Sequence, residues 1–169
     1  MDWTSFLPVL MLSAPVLCAC LVFLAPVVAN ALARREGQPV THAAGWTALL
    51  GPGSALASAV ALLGALRSGE VLSLALGLRG GEPVPVVLTR ADLVAILAVA
   101  SAGGALVGLL LWAGATRPWL YAVALLIQGG IALLLTARAL WPLATGIGAV
   151  AAVVAALGAW SLGRQRATG

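Results

Sequence analysis

Lysine is absent from this 169-residue sequence, acids number five, and charged residues make up only 8% of it. Soluble domains carry roughly 25% charged residues, so too few remain here to present a hydrated surface around an apolar interior. That excludes a water-soluble fold. Histidine occurs once, as His42, in the turn before the second apolar stretch. Membrane haem sites need His or Met ligands facing each other inside a bundle, so one turn histidine argues against a haem-carrying anchor. Cysteine occurs twice, as Cys18 and Cys20. Two residues apart on a helix they point to different faces, which favours neither a disulfide nor a metal pair, and they read as small apolar packing residues. Leu17-Cys18-Ala19-Cys20 has a faint likeness to a lipoprotein cleavage box, but Asp2 and no positive charge precede it and the apolar run continues beyond. An uncleaved helix is expected. No Cys/His/Asp/Glu cluster has metal spacing, no nucleophile has an evident base, and no glycine-rich phosphate loop follows a strand. The expectation is a chain with no cofactor, no metal and no enzymatic activity of its own.

What is there is apolar: 62% hydrophobic residues and a mean hydropathy of +1.10. The basic residues are nine arginines, giving a net charge of +4. They stand singly or in pairs at the ends of apolar segments, as anchors beside phosphate headgroups do. No basic patch with interleaved aromatics exists, which excludes nucleic acid as a partner.

Five stretches reach the roughly 20 residues needed to cross the hydrocarbon layer. They lie near 5–33, 44–66, 91–113, 119–137 and 141–162. The expected fold is an all-α integral membrane protein, a five-helix transmembrane bundle forming a single domain over 1–169. Pro8, Pro15 and Pro26 can kink the first helix, and Gly51-Pro52-Gly53 can bend or break the second. Between the second and third helices, Val71-Leu72-Ser73-Leu74-Ala75-Leu76 and Val84-Pro85-Val86-Val87-Leu88 flank turn residues. They predict a short β-hairpin on the membrane surface with Pro85 at an edge. Pro118 suits a helix start, and the short link at Trp141-Pro142 makes the fourth and fifth helices antiparallel neighbours. Trp3, Trp46, Trp112, Trp119 and Trp141 fall near helix ends, with Trp160 one turn from the last, where indoles sit at headgroup depth.

An odd helix count puts the termini on opposite sides. Arg34, Arg35, Arg117, Arg164 and Arg166 then share one face, and Arg67, Arg79, Arg90 and Arg138 share the other with Glu70, Glu82 and Asp92. The positive-inside rule gives a multi-pass protein of the bacterial inner membrane with its N-terminus outside and its C-terminus cytoplasmic.

Charges inside a membrane mark function because burying one is costly, and the predicted helix interiors hold no Asp, Glu, Lys or His. Asp92, at the start of the third helix, suits capping of free amides, with proton handling as the alternative. Gln128, followed by Gly129-Gly130, is the strongest polar group at depth and suits an interhelical hydrogen bond or a ligand contact. Arg138 snorkels from the end of the fourth helix or pairs with another subunit. Gly104 and Gly108 form a G-x-x-x-G pattern, and Gly148, Ala152, Ala155 and Ala156 recur at similar spacing. Such small-residue faces let helices pack closely, within the chain or against a partner.

A first helix with Leu7-Pro8 near its start, a basic turn, a second helix, a hairpin, and then Val87-Leu88-Thr89-Arg90-Ala91-Asp92-Leu93 entering a third helix make a familiar order. With Leu125-Leu126-Ile127-Gln128-Gly129-Gly130 in the fourth helix, the stretch 7–139 resembles the N-terminal portion of the antiporter-like subunits of respiratory complex I and their Mrp antiporter and membrane hydrogenase relatives. The resemblance implies membership of an energy-converting, proton-translocating complex. That family conducts protons with a Glu on its fifth helix and a Lys on a later broken helix. This sequence has no acid within 141–162 and ends before a later helix, so it reads as a truncated relative that keeps the packing shell, with Asp92 as the position that matches.

The function expected is therefore a non-catalytic accessory subunit of a larger inner-membrane complex, with other integral membrane subunits and membrane lipids as partners. The alternatives are a small oligomeric transporter or channel with Gly51-Pro52-Gly53 and Gln128 on its path, and an assembly factor or anchor for a redox enzyme.

Overall fold

A computed structural model describes residues 3–36, 42–66, 71–79, 82–136 and 141–167, with side chains over 6–31, 42–66, 71–73, 87–136 and 143–161. Among the described residues are five helices and a two-stranded antiparallel sheet: α1 (Trp3–Glu36), α2 (Ala43–Ala65), β1 (Leu72–Arg79), β2 (Glu82–Leu88), α3 (Arg90–Trp112), α4 (Pro118–Thr136) and α5 (Trp141–Ala167). Each helix contains a segment long and apolar enough to cross a membrane, the shortest being 19 residues. At about 1.5 Å per residue such a segment matches a hydrocarbon layer of roughly 30 Å.

The helices overrun the apolar stretches at two places. Trp3–Glu36 takes in Arg34-Arg35-Glu36, and Trp141–Ala167 takes in Arg164 and Arg166. Arg and Glu are good helix formers, so hydropathy falls before helicity does. Pro8, Pro15 and Pro26 lie inside α1 without ending it. Gly51-Pro52-Gly53 likewise leaves α2 continuous. The hydroxyl of Ser54 donates to the carbonyls of Leu50 (2.7 Å) and Gly51 (3.0 Å), one turn back on the same helix.

Two buried clusters record how the helices run. Met11 and Leu12 of α1, Ala59 and Leu62 of α2, Leu93 and Ile96 of α3, and Leu133 of α4 share one. Cys18 and Val22, Ala44 and Ala48, Val107, and Tyr121 and Leu125 share the other. The early part of each helix therefore meets the late part of the next, an alternating up-and-down bundle. The fourth helix is its centre: 61% of its membrane-length window is buried, against 17% for α5. It packs on α1, α2, α3 and α5, whereas α5 packs chiefly on α4.

The hairpin pairs Leu72 with Leu88, Leu74 with Val86 and Ala75 with Pro85. Its strands extend closer to the turn than the sequence pattern suggests, to Arg79 and from Glu82. Pro83 and Pro85 are two residues apart, so both missing N–H groups fall on the same edge of β2, and a two-stranded ribbon tolerates that on its outer side.

Candidate functional site

Among the described residues Ser58, Gln128 and Thr136 are the buried polar side chains, and Gln128 on α4 is only 4% exposed. Its Oε1 has no hydrogen-bond partner. It lies against Gly103 of α3, where a Cβ would collide with Oε1 and stand 2.6 Å from Cδ. In that direction Gly103 carries only an α hydrogen, and a Cα–H facing an amide oxygen is a weak hydrogen bond typical of close helix crossings. Gln128 thus fills a notch that only glycine provides.

A second crossing joins three helices. A Cβ on Gly51 would stand 3.0 Å from Leu125, 3.2 Å from Cys18 and 3.3 Å from the backbone of Pro15. On α4, a Cβ on Gly129 would stand 2.9 Å from Val16 and 3.7 Å from Pro15. Glycines on α2 and α4 therefore receive the proline segment of α1 between them. Gly51 and Pro52 are buried in this packing, while Gly53 faces outward. Cys18 is buried and Cys20 exposed, both as free thiols.

The two glycines of the α3 motif have different surroundings. Gly104 would place a Cβ 3.4 Å from Pro52 of α2, an ordinary close contact, while Gly108 has nothing within 4 Å. Gly108 instead lines an apolar groove of about 400 Å³ between α2 and α3, with His42, Trp46, Leu49 and Leu111. His42 is the exposed N-cap residue of α2 and makes no side-chain capping bond. On α5, Gly148 meets nothing within 4 Å, and Ala152 and Ala156 face outward while Ala155 is half-buried. The contact with α4 is made instead by Ala144, Ile147 and Ala151.

Asp92 closes a capping box. It accepts from the Thr89 amide at 2.8 Å and from the Thr89 hydroxyl at 2.7 Å, and its own amide donates to Thr89 Oγ1 at 3.3 Å. The carboxylate is committed to starting α3. The far end of α3 is finished by Gly114, with φ +71°. The Gly114 amide donates to Leu111 (3.0 Å) and the Ala115 amide to Leu110 (2.9 Å), the bond pair of a Schellman turn.

The tryptophans divide. Trp46, Trp112 and Trp160 face outward, Trp112 being 88% exposed. Trp119 instead lays its ring on Gly158 of α5, where a Cβ would stand 2.6 Å from Cε2. Its indole Nε1 is buried without a partner. No sequence signal distinguishes it from the others, because position near a helix end is common to all of them. Arg138 lies outside the described residues.

Among the described residues, no three His, Cys, Asp or Glu side chains come together to hold a metal ion. In comparisons with known proteins, no family, no curated protein and no solved structure matches this chain.

Proposed function

We propose that this chain is a non-catalytic accessory subunit of a larger inner-membrane complex, to which it contributes helix surface. The observation that carries the reading is α5: it packs chiefly on α4 and turns Gly148 and Ala152 outward at helical spacing. Lipid tails are as apolar as leucine, so greasiness gains nothing against lipid. Small residues that let another backbone approach closely do gain contact. The order of features shared with the antiporter-like subunits is the ground for proposing an energy-converting assembly. The arginine-rich ends of α1 and α5 support a cytoplasmic C-terminus and an N-terminus outside.

Purification in mild detergent tests the reading. Co-purifying membrane subunits that are shed by Ala152→Leu, with helical content unchanged, are expected. A stable, lone monomer would sink the idea. Sealed-vesicle labelling of single cysteines placed at Arg35 and Arg90 reads orientation: access to 35 from the cytoplasmic side alone is expected.

A small oligomeric channel is the rival reading, and the unpartnered Oε1 of Gln128 is the observation in its favour. Ion flux in proteoliposomes abolished by Gln128→Leu would favour it over the subunit reading.

A further inference from the structure

We propose that the groove between α2 and α3 binds one acyl chain of an anionic phospholipid, whose headgroup lies at the arginine-rich end of the bundle. The inference rests on the reading of the chain as membrane-spanning. Three observations carry it.

The first is shape. Gly104 and Gly108 are one turn apart on the side of α3 that faces α2. The upper notch is closed by Pro52, whereas the lower one is empty to 4 Å. The result is a groove bounded by Trp46, Leu49 and Leu111 and open to the outside. Its volume of about 400 Å³ is within the roughly 300–1,000 Å³ of small-molecule sites. Its lining is apolar except at His42, so its interior suits hydrocarbon and not a polar solute.

The second is depth. His42 is the N-cap of α2, Trp46 lies in its first turn, and Leu111 lies in the last turn of α3. The groove therefore starts at a helix end, where an indole and an imidazole sit at headgroup level, and runs inward along apolar side chains.

The third is charge. By chain order, the end of the bundle holding His42 also holds Arg34, Arg35, Glu36, Arg117, Arg164 and Arg166. That is five arginines against one acid. Among the described residues the opposite end holds Arg79 and Arg90 against Glu82 and Asp92, two against two. Among the described residues the excess of positive charge thus belongs to the end where the groove opens. Basic pockets between membrane helices at such an end attract phosphate-bearing headgroups. A zwitterionic lipid would fill the same groove without drawing on that charge.

The test is native mass spectrometry of the full chain released from nanodiscs of equimolar dioleoyl phosphatidylglycerol and dioleoyl phosphatidylcholine. One retained phosphatidylglycerol is expected, with about tenfold preference over phosphatidylcholine that shrinks as salt is raised. Gly108→Leu, which projects a side chain into the groove, is expected to abolish that retention. Gly64→Leu adds the same side chain at the far end of α2, where nothing lies within 4 Å, and should leave it intact. Soluble glycerol phosphate should not displace the lipid. Equal retention of both lipids, indifference to Gly108→Leu, displacement by glycerol phosphate, or a second copy of the chain lost in Gly108→Leu would each overturn the proposal. Should Gly108→Leu not fold, the salt dependence in the native chain decides alone. Release of the chain from membranes by alkaline carbonate would instead defeat the membrane-spanning reading itself.

Discussion

The side chain of Gln128 on α4 occupies the space that a Cβ on Gly103 of α3 would need. The two helices approach as closely as they do because position 103 carries no side chain. The neighbouring Gly104 and Gly108 make no such contact with α4.

Gly103→Ala should therefore cost about 1–3 kcal/mol through overpacking, lowering the thermal midpoint in detergent. Gly108→Ala should melt with the native chain. Gln128→Leu removes an acceptor that has no partner and should be neutral to slightly stabilising, since it relieves the desolvation cost of that buried oxygen. A native midpoint for Gly103→Ala would show that the close approach is not made.

Thr89 and Asp92 form one reciprocal unit at the start of α3. Removing either should cost about 1 kcal/mol, read as faster hydrogen exchange in the first turn. Because both variants destroy the same box, the double variant should cost little more than one of them. Full additivity would mean that the two residues act separately.

Trp119 and Gly158 fasten α5 to α4 near the arginine-rich end. Gly158→Leu should push the indole aside and open that contact. The readout is maleimide labelling of a cysteine placed at Ala151, which is 4% exposed in the native fold: labelling should rise several-fold. Gly148→Leu, on the outward face of the same helix, should leave it slow. Equal labelling in both would mean that Trp119 does not hold the helices together.

The features written along the chain were legible in the sequence. Lipid thickness demands about twenty apolar residues per crossing, so five such stretches give five helices of membrane length. The spacing of Thr89 and Asp92 gives the start of α3, because a capping box is local in sequence. The hairpin is similarly local, with the strands only longer than their apolar cores. Helix ends at Arg34-Arg35-Glu36 were less legible, since helicity and hydropathy end at different residues.

Which glycine meets a neighbour was decided by the tertiary structure alone. Each residue turns the helix by about 100°, so adjacent Gly103 and Gly104 face different helices, one α4 and the other α2. In a soluble protein the apolar stripe would reveal that rotation. Here the interior and the surrounding lipid are both apolar, every face of a helix is greasy, and no stripe exists to read. For the same reason the sequence by itself determined how many helices there are and where they start, and only packing decided that α4 is central, that α5 is peripheral, and that the glycine pair on α3 closes at Gly104 and opens at Gly108.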